Sequence, residues 1–263
     1  LGAMGHSEAM NNYRSPERLR EIPKGALDSS SYQGKIYGIP WYVDTTLIFY
    51  NKEMFRAAGL PIPGNSPMTW AELLKTAEAL TKDTDGDGKI DQYGFGMRKG
   101  AGAAICWFPF FFANGGKLYS PDGLKAAVNS PEGLESFKFL TGMYANGIMP
   151  PGATAYDRWD DIRNAFLSRK IAMYVTGNWE IGPITTGADF EWGITAHPRQ
   201  KERSSFLGGA SLMIPSKAVN KDAAWRWIDF LTGKGSMKYL AEYDRIPARN
   251  DASQADHIKA NPL

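Results

Sequence analysis

GKIYGIPWYVDTTLIFYN, residues 34–51, reads as a chain passing through two strands with a polar and aromatic interval between them. Lys35 to Ile39 is β-branched and aromatic around a glycine. Thr46 to Tyr50 is an uninterrupted apolar run of strand length, of the kind a sheet covered on both faces contains. Between them stand Pro40, Trp41, Tyr42, Val43, Asp44 and Thr45. Two wide aromatic faces beside a carboxylate and a hydroxyl suit a sugar, whose apolar C–H face stacks on an indole while its hydroxyls take hydrogen bonds. The alternative is that Trp41 and Tyr42 cap a core, the ordinary work of aromatic side chains.

Working outward, KEMFRAAGL after Asn51 makes a short helix stopped by Gly59, and Pro61 to Pro67 is a surface loop. Thr69 caps TWAELLKTAEALTK, which sets Leu73, Leu74, Ala77 and Leu80 on one face, and Glu72 completes a capping box. A helix over 131–145 carries Leu134, Phe137, Phe139 and Leu140; another over 159–168 leads into a strand over 171–176. A helix over 221–231 is expected to bury Ala224, Trp227, Ile228 and Leu231. Ser15-Pro16-Glu17 opens a short helix running to about Ile22. Strands alternating with helices define an α/β fold.

The 263 residues, 43% of them hydrophobic, are enough to bury a core at the size where one domain commonly becomes two. The 30 basic and 28 acidic residues are interspersed and leave a net charge of +2, which argues against nucleic acid and against a polybasic membrane patch. The one cysteine, Cys106, has no partner for an internal disulfide and is expected to pack as a small hydrophobe. Its segment AAICWFPFFFA is too short to span a bilayer and carries Pro109. LGAMGHSEAM at the start reads as a tag remnant over 1–10.

GKIYGIPWYVDTTLIFYNKEMFRAAGL, TWAELLKTAEALTKDTDGDGKIDQYGFG, AFLSRKIAMYVTGNWEIG and FLGGASLMIPSKAVNKDAAWRWIDFLT, in that order, resemble the family 1 extracellular solute-binding proteins, the sugar-type receptors of ABC importers. The resemblance runs from about Pro23 to Arg249. It implies a periplasmic-binding-protein-like type II α/β fold, with two lobes of mixed sheets flanked by helices and a ligand cleft between them. By that topology 11–44 ends the first N-lobe segment and reaches the hinge, and 45–199 builds the C-lobe. Residues 200–245 then return to the N-lobe, and 246–263 head back toward the C-lobe. The family's opening βαβ portion has no counterpart here, so an incomplete N-lobe is expected. The implied function is extracytoplasmic binding of a carbohydrate, an oligosaccharide with acidic sugars among the candidates, and its delivery to an ABC transporter permease. The implied location is the periplasm or the outer face of the cell membrane, held there through a lipid anchor or the permease, with a monomeric chain unless strands are swapped. A glycoside hydrolase and a non-binding lobe fragment are the alternatives.

Onto this chain the resemblance carries a ligand-facing aromatic at Trp179 and a Gly-Gly strand beside the cleft at Gly208 and Gly209, where missing side chains let backbone amides approach the ligand; a simple bulge is the other reading. Trp107 is a ligand or a core residue, and Glu180 bonds hydroxyls or sits exposed on a helix. Arg245 departs from the family's aromatic before Leu-Pro. It can fork onto a carboxylate or phosphate, or be a surface residue. DTDGDGKID places Asp83, Asp85, Asp87, the Lys89 carbonyl and Asp91 at the odd-position oxygen spacing of an EF-hand loop, with Gly94 where the bidentate glutamate belongs. A structural calcium and an Asp/Gly turn both fit; no other cofactor is implied. His6, His197 and His257 give a Ser-His-Asp or Cys-His site little material, so no enzyme is expected. Asp160 and Asp161, being adjacent on a helix, cannot straddle a glycosidic bond.

Overall fold

Residues 39–51 form one continuous strand rather than two. The computed structural model describes residues 1–64, 66–152, 156–241, 243 and 245–251. In chain order the elements are α1 (Pro16–Leu19), α2 (Lys24–Ser29), β1 (Ser31–Tyr32), β2 (Lys35–Ile36), β3 (Ile39–Asn51), α3 (Lys52–Ala57) and α4 (Trp70–Leu80). There follow α5 (Ala101–Ala113), α6 (Pro131–Ala145), α7 (Trp159–Leu167), β4 (Met173–Gly177), α8 (Ile181–Gly187) and β5 (Trp192–Thr195). The chain closes with β6 (Leu207–Leu212), α9 (Lys221–Leu231), α10 (Lys234–Ala241) and β7 (Ile246–Pro247). The interval between the two expected strands is itself ladder: Tyr42, Val43, Asp44 and Thr45 pair with Ala210 back to Leu207, and Tyr42 and Val43 pair with β7.

The chain divides into two units, one of residues 1–45 with the described residues from Leu207 onward, the other of residues 46–206. In the first, Met10, Ile22, Ala26, Ile36, Ile39, Ile214 and Ile228 form the core. Met10 is fully buried and the Glu8 amide donates to the Ile214 carbonyl, so residues 8–10 are built into this unit, contrary to the expected tag remnant. Helix α9 buries Ile228 with Ala224 and Trp225 half-covered, whereas Trp227 is exposed and stacks on Phe230 at 5.5 Å. Positions 221, 224, 225 and 228 form the inward stripe, which leaves Trp227 outside it on the solvent side.

In the second unit β3 lies antiparallel to β4 and β5. Its side chains alternate as a sheet covered on both faces requires. Ile48 and Tyr50 join a core with Leu73, Leu80, Phe95 and Phe110; Phe49 joins another with Ile162, Phe166 and Tyr174. Thr69 and Glu72 make the expected capping box of α4. Cys106 is buried and free, and burial pushes its thiol up to about 12. Pro109 lies inside α5.

Two expected boundaries move. Residues 200–206 stay with the second unit, where the Glu202 amide donates to Ala113 and the Ser205 hydroxyl to the Thr46 carbonyl. Residues 246–251 stay with the first, because β7 pairs with β3 and the Asn250 amide donates to Glu21. The remainder of that expected segment, 252–263 with His257, lies outside the described residues.

Candidate functional site

In the first unit the extended backbone of β3 carries Trp41, Tyr42 and Asp44, and the chain enters β7 through Arg245. Both Asp44 oxygens accept from Arg245 Nη1, at 3.1 and 2.9 Å. The guanidinium carbon lies 5.1 Å from the centre of the Tyr42 ring, and Trp41 tilts against Tyr42 at 5.6 Å. The Asp44 side chain is 11% exposed and that of Arg245 34%, so the arginine forms the open end of the pair. Arg245 is therefore not an isolated surface residue.

Gly208 and Gly209 sit opposite Asp44 and Val43 on β6. Gly209 has φ +125° and a Cβ there would lie 2.2 Å from the Tyr42 carbonyl oxygen, so glycine is required by the strand's own close approach. The register irregularity falls between Pro40 and Tyr42, not at the glycine pair. A cavity of about 490 Å³ in this unit has Tyr42, Gly208 and Gly209 among its walls, along with Ser30 and Ser211, whose hydroxyls are 2.6 Å apart; Trp41, Asp44 and Arg245 are not part of its wall.

In the second unit the end of β4 turns through a 3₁₀ segment, Asn178–Glu180. Trp179 is half-buried and meets Trp159 edge-on at 5.1 Å, and Arg98 stands over Trp159 at 4.4 Å. A Cβ on Gly177 would lie 2.2 Å from the Trp179 ring, which is why the turn needs glycine. The Trp179 indole N–H is buried with no partner among the described residues. Glu180 is neither exposed nor open to hydroxyls. It is 3% exposed and accepts from Arg163 Nη1 at 3.1 and 3.3 Å, while Arg163 Nη2 donates to Asp160 at 2.6 Å. Burial raises the Glu180 carboxyl, and the Arg163 guanidinium pulls it partly back. Trp107 belongs to packing: its N–H donates to Ser136 Oγ at 2.9 Å and its ring lies 4.8 Å from Phe111. Trp159, Arg98 and Arg163 were not singled out in the sequence; the only signal for Trp159 and Arg163 was their place on the helix leading to the strand before the Gly-Asn-Trp turn, and Arg98, ahead of α5, gave none.

His197 is buried, with Nε2 2.9 Å from the Thr46 hydroxyl and Nδ1 unpartnered among the described residues. Desolvation holds it down to about 3, so it is neutral in the folded chain.

The acidic loop brings together carboxylate oxygens of Asp83, Asp85 and Asp91 within 4.8 Å of one another. Asp87 is not in that group: its Oδ1 accepts from the Lys89 amide and its Oδ2 lies 3.9 Å from the Lys89 ammonium. Asp83 accepts from the amides of Gly86 and Gly88, and Asp91 from the amide and hydroxyl of Thr84. These bonds lower both carboxyls, that of Gly88 foremost for Asp83 and that of the Thr84 hydroxyl for Asp91. Oxygen donors alone suit a hard cation, and the same bonds also close the Asp/Gly turn without one.

The fold is of the periplasmic-binding-protein-like α/β class. A solute-binding protein of Thermotoga lettingae TMO, solved bound with α-D-tagatose, is 32% identical and superposes with a TM-score of 0.83, covering 99% of this chain and 67% of that one. Curated relatives include a binding protein of Brucella abortus (strain 2308), 27% identical over 98% of this chain and 61% of its own length. The maltotriose-binding protein of Pyrococcus abyssi (strain GE5 / Orsay) is 25% identical over 98% of this chain and 54% of its own. The sequence profile of the bacterial extracellular solute-binding proteins matches residues 5–263, and the chain belongs to that family. It spans about half to three fifths of the length of these curated relatives.

Proposed function

We propose that the chain is the substrate-binding part of an ABC importer for a carbohydrate, acting in the periplasm or at the outer face of the cell membrane and handing its ligand to a permease. The observation that carries this reading is the Asp44–Arg245 pair set against Tyr42 and Trp41: charged donors and acceptors beside aromatic faces, half-open to solvent. Such a group offers a sugar both of its needs, hydroxyl partners and a stacking face. Trp179 is proposed as the aromatic contact of the second unit, because its N–H lacks a partner among the described residues. Membership of a solute-binding family and likeness to a protein solved with tagatose support the same reading.

The mechanism is noncovalent, and the hydrolase alternative is disfavoured by its own candidates. Asp160 is held by Arg163, and Asp161 caps α7 by accepting from the Arg158 amide. The test is a thermal-denaturation screen against neutral and acidic mono- and oligosaccharides, with mass spectrometry of the recovered sugar. A ligand at a hundredfold excess over its Kd stabilises by about 2.7 kcal/mol; the expected result is a clear upward shift with at least one sugar, recovered intact. A cleaved sugar would favour the hydrolase instead. We also propose a structural calcium on Asp83, Asp85 and Asp91, tested by repeating the melt with calcium and with chelator.

A further inference from the structure

We infer that the second unit carries an anion site of its own, for a small molecule bearing a carboxylate or phosphate group, apart from the carbohydrate contacts proposed above. A cavity of about 890 Å³ opens where three segments meet: the start of α3 at Asn51, the segment 82–93, and the turn 168–170 after α7. The backbone fixes that meeting, because the Lys82 amide donates to Gln92 and the Tyr93 amide to Lys170. The volume lies within the roughly 300–1,000 Å³ of small-molecule sites. Its wall includes none of Trp41, Tyr42, Asp44, Trp179 and Arg245.

The most buried residue of that wall holds a donor without an acceptor. Asn51 is fully buried and caps α3, its Oδ1 accepting from the Met54 amide at 3.1 Å. The cap uses the oxygen alone, and serine or aspartate would supply it equally. Asparagine adds an N–H₂ group, and this Nδ2 is buried with no partner among the described residues. A buried donor left unpaired costs free energy, which an acceptor arriving in the cavity recovers.

The charges of the wall are committed unevenly. Glu53 pairs with Arg169 at 3.6 Å, and Arg169 also holds Asp189 at 2.7 Å. The two Asp91 oxygens accept from the amide and hydroxyl of Thr84. By contrast, the ammoniums of Lys82 and Lys170 have no carboxylate partner among the described residues. Three cations therefore face two carboxylates, and both carboxylates already have partners while two of the cations do not. Gln92 Nε2, the Tyr93 hydroxyl and the Ser168 hydroxyl donate to backbone carbonyls. The uncommitted groups are thus donors, two of them positively charged, and an oxyanion is the ligand that supplies acceptors and negative charge together. Two lysines on flexible stems provide the charge, and Asn51 provides a fixed, buried bond.

The test is an NMR titration of the isotope-labelled chain with inorganic phosphate and with citrate, in calcium-free buffer at constant ionic strength, with chloride as the control. The Asn51 side-chain amide and the backbone amides of 82–93 and 168–170 are expected to shift saturably with at least one of the two probes. Saturation by phosphate alone assigns a phosphate-bearing ligand, and saturation by citrate alone a carboxylate. The double change Lys82→Gln/Lys170→Gln should weaken binding on the order of tenfold or more. Asn51→Asp keeps the cap oxygen, removes the donor and should weaken binding as well; where that variant fails to fold, the lysine variant, which alters side chains at least partly open to solvent, carries the test. No saturation with either probe, equal shifts with chloride, or binding that the lysine variant leaves unmoved overturns the inference. The carbohydrate reading stands or falls separately, since none of its contacts lines this cavity.

Discussion

Each unit sets a carboxylate on an arginine beside aromatic rings, and the two pairs are built for different work. Glu180 and Arg163 are closed off, at 3% and 20% side-chain exposure; Asp44 and Arg245 are more open, at 11% and 34%. A buried pair repays its desolvation only while both partners are present, so it fixes a turn and has nothing to spare for a ligand. In the other pair Asp44 is also mostly buried, and it is Arg245 that keeps the pair partly in contact with solvent. Arg163 and Glu180 accordingly anchor the turn that carries Trp179, and Asp44 and Arg245 are the pair proposed above as the polar contact.

The largest effect that separates the two follows from Arg163→Met. It strands Glu180 in the interior and should cost about 3–5 kcal/mol by denaturant titration, with the double change Arg163→Met/Glu180→Gln recovering much of it. A cost under about 1 kcal/mol would put this pair in the same class as the other. The pH dependence has a definite sign. Burial raises the folded carboxyl of Glu180, so its ionised form is disfavoured and stability falls as pH rises through that raised value. The loss caused by Arg163→Met should then be smallest in acid.

His197 extends the contrast to a buried group with no charge at all. Its folded value is about 3, well below that of the unfolded chain, so the unfolded state takes up a proton first as pH falls below about 6.5. Stability should drop by about 1.4 kcal/mol per pH unit from there toward pH 3, and His197→Gln should flatten that slope in thermal melts. By comparison, Asp44→Asn takes the charge off a pair whose arginine stays partly solvated, and should cost less stability than Arg163→Met while changing sugar binding. The smallest effect is expected at the acidic loop: added calcium should raise the melting temperature slightly, and Asp83→Asn should abolish that rise.

Local grammar made much of the fold legible. Ser15 with Pro16 marks the start of α1, the Thr69–Glu72 box starts α4, and the apolar run after Thr46 is a strand covered on both faces. The errors arose where tertiary partners decide. Pro40 to Thr45 looked like a link because its ladder partners, β6 and β7, lie far along the chain. Trp227 looked buried because hydrophobicity alone does not choose between the faces of α9, and Tyr13 packs on Trp225 instead. The candidate site was half-legible for the same reason. Residue types such as Trp41, Asp44 and Arg245 can be read singly, but the pairing of Asp44 with Arg245 and of Glu180 with Arg163 is a matter of geometry.

The most direct test of the carbohydrate reading is a tryptophan-fluorescence titration of the unaltered chain and of Tyr42→Ala with α-D-tagatose and maltotriose. A saturable change in the unaltered chain, weakened by on the order of tenfold in the variant, is the predicted result. Saturation that Tyr42→Ala leaves unmoved, or no saturation with either sugar, would contradict the account.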